Sequence, residues 1–483
     1  MNSLQPKMTW AIVLTAIQAG VVMGDQQNEK VGINVLLNGP VNNAKLAGLG
    51  IHGKVLEVVP EINAVTMQAK GSKLPAIQAL PYVAAANKDR KRWWLGEGGP
   101  LVPDFSGGST LWNLDAINVT DFGGGRTVDY DGDGVYVAVL DTGLVPNWRA
   151  YFPEARIDTQ HARAFGGGNG EPDTVSEKSH KWEHDKTSHG TEVTSILLGF
   201  NYCGPEQLPA NLNGVAPKAT IIPVRVIKNN GRGWSSAVTR SLVYVVNLKL
   251  SGALGNAPVV VNMSLGGPSA DAIELAAIDY AIASGIVVAS AAGNTGDFGS
   301  GMYYPSAYAP VISAAASGCV GEFPTDDPTA ILWILRDVAE NDVMQHFIAP
   351  FSARELPGQD LDVTAPGMPI PVAYSVNGQV VDYKFDTETS LAAPHVAGVA
   401  ALMLQKNPGL TQAQVEGILE DTAMPLPPGC RNIMFPMQEG PGVPTWSDHS
   451  QVSFFETTVC WEANASGAGL VQADAALAAT PLP

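Results

Sequence analysis

The sequence predicts an α/β protein: a mainly parallel, doubly wound sheet with helices on both faces, preceded by a small α+β unit. Three observations predict it. Residues 135–141, 220–226, 258–263, 286–291 and 311–315 are short apolar, β-branched runs without polar alternation, the pattern of strands buried on both faces. Helix-length segments at 237–250, 270–284 and 391–405 stand among them, and such alternation builds a parallel sheet covered on both sides. The first ninety residues follow another order, with strands at 31–37, 54–59, 64–69 and 82–86 and short helices at 43–49 and 74–80. That is βαββαβ, a ferredoxin-like arrangement.

Along the chain, Lys7 precedes an apolar stretch that runs to about Gly24. It is too short and too polar for a membrane span, and residues 1–24 read as a signal peptide. Residues 25–92 hold the βαββαβ unit and end in the basic run 88–92. Residues 93–108, rich in Gly and Pro, read as a linker open to proteolytic nicking. Residues 109–483 form the main domain, with surface excursions expected at 319–349 and 425–461.

The net charge of −18 argues against nucleic acid as a partner, which wants a basic face. The four cysteines allow two disulfides in three connectivities, and with no Cys-x-x-Cys pair a zinc site is not expected. Cys430 and Cys460 bracket one Pro-rich segment and are the favoured bridge; Cys203 with Cys319 follows by subtraction. Asp129-Tyr130-Asp131-Gly132-Asp133-Gly134 begins like a calcium loop, but Leu140 stands where the bidentate Glu belongs, so it reads as an acidic turn.

Three segments carry chemistry. Ser390 heads the small-residue helix Thr389-Ser390-Leu391-Ala392-Ala393-Pro394-His395-Val396-Ala397-Gly398, where the helix N-terminus adds a positive field. Asp141-Thr142-Gly143 ends a buried strand, and sites in open α/β sheets form at the carboxyl ends of strands. His189-Gly190-Thr191 opens a helix that Ser188 can cap. The chain order Asp, His, Ser is one of those used by acyl-transfer triads. Asp-Thr-Gly also marks aspartic proteases, but those need a pair and only one occurs here.

With Asn262-Met263-Ser264-Leu265-Gly266-Gly267 and Ala291-Ala292-Gly293-Asn294, these segments make residues 109–480 resemble the subtilisin-like serine proteases. The resemblance implies a subtilisin-like main domain closed by a helix near 467–473. It implies that residues 25–92 are an inhibitory prodomain, and that the protein is a secreted, self-processing zymogen acting as a monomer on proteins and peptides. It assigns Asp141, His189 and Ser390 to the triad and Asn294 to the oxyanion. It places an extended substrate between Gly231-Arg232-Gly233 and Ser264-Leu265-Gly266, with Ala292, Gly293 and Tyr303 at the specificity pocket. No catalytic cofactor is implied, though structural calcium is common in the family. A catalytically impaired pseudo-protease that binds peptides or its prodomain is the alternative.

The sequence departs from the family at four places. Glu388 replaces Gly two residues before the nucleophile; were a positive φ needed there, a side chain would cost about 1–2 kcal/mol. A carboxylate at that place is also expected to raise the pKa of His189. Glu192 stands where His is usual, and Thr194-Ser195 where Ala-Gly is usual. Tyr303 replaces a small residue on the pocket floor.

Overall fold

The structure, a computed structural model, describes residues 30–88, 102–122, 124–166, 176–201, 211–296, 299, 301–320, 337–376, 380–438 and 452–483. The expected leader, most of the linker and basic run, and Cys203 with its expected bridge to Cys319 lie outside them. The chain divides into two compact units, Met1–Trp94 and Leu95–Pro483.

The first unit contains β1 (Lys30–Leu37), α1 (Asn43–Gly50), β2 (Gly53–Val59), β3 (Ala64–Lys70), α2 (Leu74–Gln78) and β4 (Val83–Lys88). Its sheet is antiparallel in the order β2-β3-β1-β4. Alternate residues Ile33, Val35 and Leu37 of β1 and Val65, Met67 and Ala69 of β3 point to one face, where Leu49 and Ile77 of the helices close the core. The period-2 pattern therefore buries one face only. Asn42 caps α1, its side chain accepting from Lys45 N at 3.0 Å.

The second unit is built on a nine-stranded sheet. Its central strands are β5 (Tyr136–Asp141), β8 (Thr220–Arg225), β9 (Val259–Met263), β10 (Ile286–Ala291), β11 (Ile312–Cys319) and β13 (Val363–Met368). All pair in parallel, β5 lying between β8 and β9 and β11 between β10 and β13. Antiparallel strands lie at the edges: β6 (Arg163–Gly166), which pairs with β8 in parallel, carries β7 (Ser176–Lys178), and β12 (His346–Ile348) pairs with β11.

Both faces are covered. Val137, Val139, Val260 and Val287 pack with α3 (His189–Leu198) and α6 (Thr389–Lys406). Their neighbours Ala138, Leu140, Val259, Val261 and Val288 pack on the opposite side with α4 (Ser235–Leu250) and α5 (Ala272–Ala283). A strand buried on both sides needs apolar residues at every position, which is why these runs lack polar alternation.

One expectation is corrected. Residues 467–473 are not the closing helix: Gly467 (φ 56°) and Gly469 (φ 136°) force a turn, Leu470 and Met424 exchange backbone hydrogen bonds, and the helix is α8 (Ala473–Ala479). The expected excursion at 425–461 contains the antiparallel pair β16 (Gly429–Gln438) and β17 (Val452–Trp461). Cys430 stands opposite Cys460 in its register, and the two are bridged. A second antiparallel pair, β14 (Ile370–Val376) and β15 (Val380–Asp386), was missed in the sequence and leads straight into α6.

Candidate active site

Asp141 ends β5, at the carboxyl edge of the parallel strands, and is buried. Gly143, at φ 84°, turns the chain sharply after it. A Cβ on Gly190 would collide with the Gly143 carbonyl, so the two glycines let the turn and the start of α3 meet backbone to backbone. Thr142 Oγ1 fastens the contact, accepting from Gly190 N at 2.8 Å and donating to Asp185 Oδ2 at 2.8 Å. His189 is thereby delivered to Asp141, with Nδ1 at 2.7 Å from Oδ1. Ser188 precedes α3 but does not cap it through its side chain. It lies at φ 74°, and its hydroxyl instead donates to Ser375 O and accepts from Ser375 N, each at 3.0 Å. The hydroxyls that replace the family's Ala-Gly are also engaged: Thr194 donates to Gly190 O at 2.7 Å and Ser195 to Glu192 O at 2.6 Å.

Ser390 lies in the first turn of α6, 8% exposed. Pro394, four residues on, has no N–H to give the Ser390 carbonyl. Ser264 fills that vacancy, donating to Ser390 O at 2.6 Å, and Asn262 Nδ2 donates to Ser264 Oγ at 3.0 Å. Thr389 N and Oγ1 both donate to Asn294 Oδ1 at 2.8 Å. Because a backbone N–H can only donate, the carboxamide oxygen must face Thr389, which leaves the Asn294 NH2 for the cleft. Gly293 N donates to Thr389 Oγ1 at 3.0 Å, so β10's exit and the helix start are one hydrogen-bonded unit. His395 of the same motif is fully buried, bonded to Asn113 and to Leu391 O, with its pKa pushed down to about 4 by burial. It is a core residue.

Gly231-Arg232-Gly233 follows β8 and Ser264-Leu265-Gly266 follows β9, the two neighbours of β5. Both are at the edge that carries Asp141. The Tyr303 side chain leans on Gly266 and Gly293, where added Cβ atoms would lie 3.0 and 3.2 Å from Tyr303 Cβ. Tyr303 N donates to Ala292 O at 2.8 Å. The aromatic residue thus stands between the β9 exit and the β10 exit, half-buried.

Glu388 meets one expectation and leaves the condition for a strain cost unmet. Its φ is −166°, extended backbone that any residue adopts, so no strain attends the loss of Gly. Its carboxylate lies on His189, Oε1 at 3.0 Å from Nε2. Among the described residues, Ser390 Oγ makes no hydrogen bond to the imidazole. Burial opposes charge on the ring, but Asp141 and then Glu388 outweigh it, and the pKa of His189 stands well above its ordinary value.

Behind this pair lies a network whose partners sequence reasoning missed. Glu192 is buried, and burial drives its carboxyl pKa upward against the pull of Lys384. The Lys384 ammonium lies 2.9 Å from Glu192 Oε1 and 2.6 Å from Asp386 Oδ2. Glu192, Asp386 and Glu388 lie close enough to gather round a metal ion, but Lys384 already pairs with Glu192 and Asp386 and His189 with Glu388, and calcium does not fit there. Nor does it fit the turn at 129–134, where Lys218 Nζ holds Asp131 Oδ2 at 2.7 Å. The acidic replacement at residue 192 was the signal in the sequence; its partner on β15 left none.

An aspartate-bound histidine, a serine at a helix head and an asparagine at a strand exit form a constellation suited to acyl transfer. The profile of the subtilase family matches residues 132–453, and the chain belongs to that family. It is 33% identical over 298 residues to subtilisin amylosacchariticus of Bacillus subtilis subsp. amylosacchariticus, covering 61% of this chain and 61% of that one. To the subtilisin of Bacillus pumilus it is 32% identical over 298 residues, covering 61% and 85%. To subtilisin BL of Lederbergia lenta it is 31% identical over 304 residues, again 61% and 85%. The first of these relatives is matched over less than two thirds of its own length. No helix among the described residues is long and apolar enough to cross a membrane.

Proposed function

We propose that the protein is a secreted serine endopeptidase, made as a zymogen whose residues 25–92 are a prodomain removed by self-cleavage. The observation that carries this reading is the 2.7 Å contact of His189 with Asp141 beside the helix head that bears Ser390. In the reaction, neutral His189 takes the proton of Ser390 Oγ as the oxygen attacks the peptide carbonyl. Asp141 holds the Nδ1–H tautomer and stabilises the imidazolium. Asn294 Nδ2 and the Ser390 N–H, one of the first helical donors without an intrahelical partner, donate to the oxyanion. His189 then returns the proton to the leaving amine, and water reverses the sequence on the acyl-enzyme. No metal or redox group takes part in these steps.

Fluorophosphonate labelling tests the reading: the mature protein should be labelled at Ser390, and absence of label at any pH between 6 and about 11 would remove it. A second reading, a pseudo-protease that binds peptides without turnover, is favoured by one observation, that Nε2 meets Glu388 rather than Ser390. Unlabelled protein that still binds peptide would establish it.

Two expectations accompany the first reading. Residues 25–90 as an isolated peptide should inhibit the mature enzyme in trans, because the tail that follows β4 is proposed to lie along the substrate edges as a product does. A titration without inhibition would reduce this unit to a folding or targeting segment. The second concerns P1. Tyr303 takes volume between Gly266 and Gly293 that a large side chain would fill, and burying Leu or Phe is worth about 1.5–3 kcal/mol. Small P1 residues such as Ala should be preferred, and Tyr303→Gly should shift the preference toward Leu and Phe. A P1-varied peptide library reads both; a wild-type preference for Phe would overturn the pocket assignment.

A further inference from the structure

The two ring nitrogens of His189 face two carboxylates, Nδ1 at 2.7 Å from Asp141 and Nε2 at 3.0 Å from Glu388. Where both contacts are made to ionised carboxylates, which only accept hydrogen bonds, both nitrogens carry protons and the ring is an imidazolium, the form that the two carboxylates favour. In that form Nε2 has no lone pair with which to take the proton of Ser390.

We propose that Glu388 is a positioning residue for the reaction: its carboxylate occupies Nε2 of His189 in the resting enzyme, and attack by Ser390 begins only when that contact is given up. The inference rests on the serine peptidase reading and adds to it a residue that holds the base silent. When the Nε2 proton passes to solvent, the carboxylate and the freed lone pair repel, Glu388 turns away, and Nε2 becomes an acceptor for Ser390 Oγ.

The surroundings support a held cation. Asp141 comes from β5, Glu388 from the residue capping α6, Asp386 and Lys384 from β15, Glu192 from α3 itself, and Asp185 from the turn that Thr142 binds. Lys384 is the one positive side chain among these, and it is engaged by Glu192 and Asp386. Glu388 is therefore left to His189. Its side chain is 20% exposed and that of His189 24%, so solvent reaches the pair and can accept the proton.

The test compares full-length wild type with Glu388→Gln and Glu388→Gly, both backbone-compatible because residue 388 is extended. The acidic limb of kcat/KM against pH, measured on a chromogenic peptide anilide, reports the pKa of His189 in free enzyme. An opposite charge at this distance shifts a pKa by roughly 1–3 units, and solvent at the cleft favours the lower end. Both variants should move the limb down by about 1 pH unit, and fluorophosphonate labelling should move with it. In the Ser390→Ala background, the imidazole protons followed by NMR should titrate lower by the same amount when Glu388 is replaced. A limb and an NMR titration within about 0.3 units of wild type would overturn the proposal. A merely structural role would change the plateau or the melting temperature and leave the limb in place. Failure of the parent reading looks different: no protein, variant or wild type, would take the label.

Discussion

Ser390→Ala should abolish peptide hydrolysis and leave the fold unchanged. Loss of a triad serine costs on the order of 10⁶-fold in kcat, whereas among the described residues the hydroxyl contributes none of the contacts that secure its helix. Those run through the Ser390 carbonyl to Ser264 and through Thr389 to Asn294 and Gly293, and an alanine keeps them all. The melting temperature should therefore stay within a degree or two, and the chain should keep residues 25–92 attached when made in a host without proteases. Continued casein cleavage by the purified variant would remove Ser390 from the mechanism. Normal processing with no casein cleavage would instead assign maturation to another enzyme.

Lys384→Ala should be the most destabilising single change in the neighbourhood of the site. Its side chain is 13% exposed, it faces Glu192 at 1%, and its ammonium also lies 4.9 Å from the centroid of Tyr374. Removing one member of a buried pair strands the other, at a cost of about 3–5 kcal/mol, read as a fall in the urea midpoint. Burial lowers the pKa of Lys384, but Glu192 and Asp386 outweigh it and raise it. A raised lysine contributes fully below its unfolded value of about 10.4 and loses that only as pH rises through the folded value. The lysine's own part of the deficit should thus be constant across neutral pH, and the deficit should shrink as pH falls and the stranded Glu192, whose pKa burial raises, takes up a proton. Adding Glu192→Leu to Lys384→Met should recover most of the loss, since an apolar pair of similar volume replaces an ionic one at little cost. A single variant with less than about 1 kcal/mol of loss would show the network to be solvent-screened.

What the sequence made legible follows from how local each signal is. The runs ending at Asp141, Met263 and Ala291 are almost wholly apolar because both sides of each strand are covered, with Asn262 and Ser290 the buried polar exceptions inside them. Ser390, His189 and Asp141 were found because small residues must surround them; Gly143 and Gly190 are demanded by a backbone collision that any Cβ would cause. The hairpin β14–β15 was missed although Val381, Tyr383 and Phe385 alternate with Asp382, Lys384 and Asp386, the period of a strand covered on one side. The partner that explains a buried Lys384, Glu192, lies on α3, far away in the chain. At Glu388 the sequence left open whether a glycine's backbone was needed; the φ of −166° needs none, and what distinguishes the residue is the reach of its side chain to His189. At 467–473 helix-compatible residues were overruled by two glycines in left-handed geometry.

The proline in α6 has a consequence for how substrate fit becomes rate. Because Pro394 leaves the Ser390 carbonyl to Ser264, the nucleophile is steadied by the residue that begins the edge along which a peptide would lie. If substrate lies along Ser264-Leu265-Gly266 as proposed, a peptide that seats well there should steady the serine's support, and one that seats badly should leave it loose. Remote contacts are then expressed in turnover more than in affinity: shortening a substrate on its acyl side should slow it at saturation, as a lever loses force when its fulcrum is allowed to move.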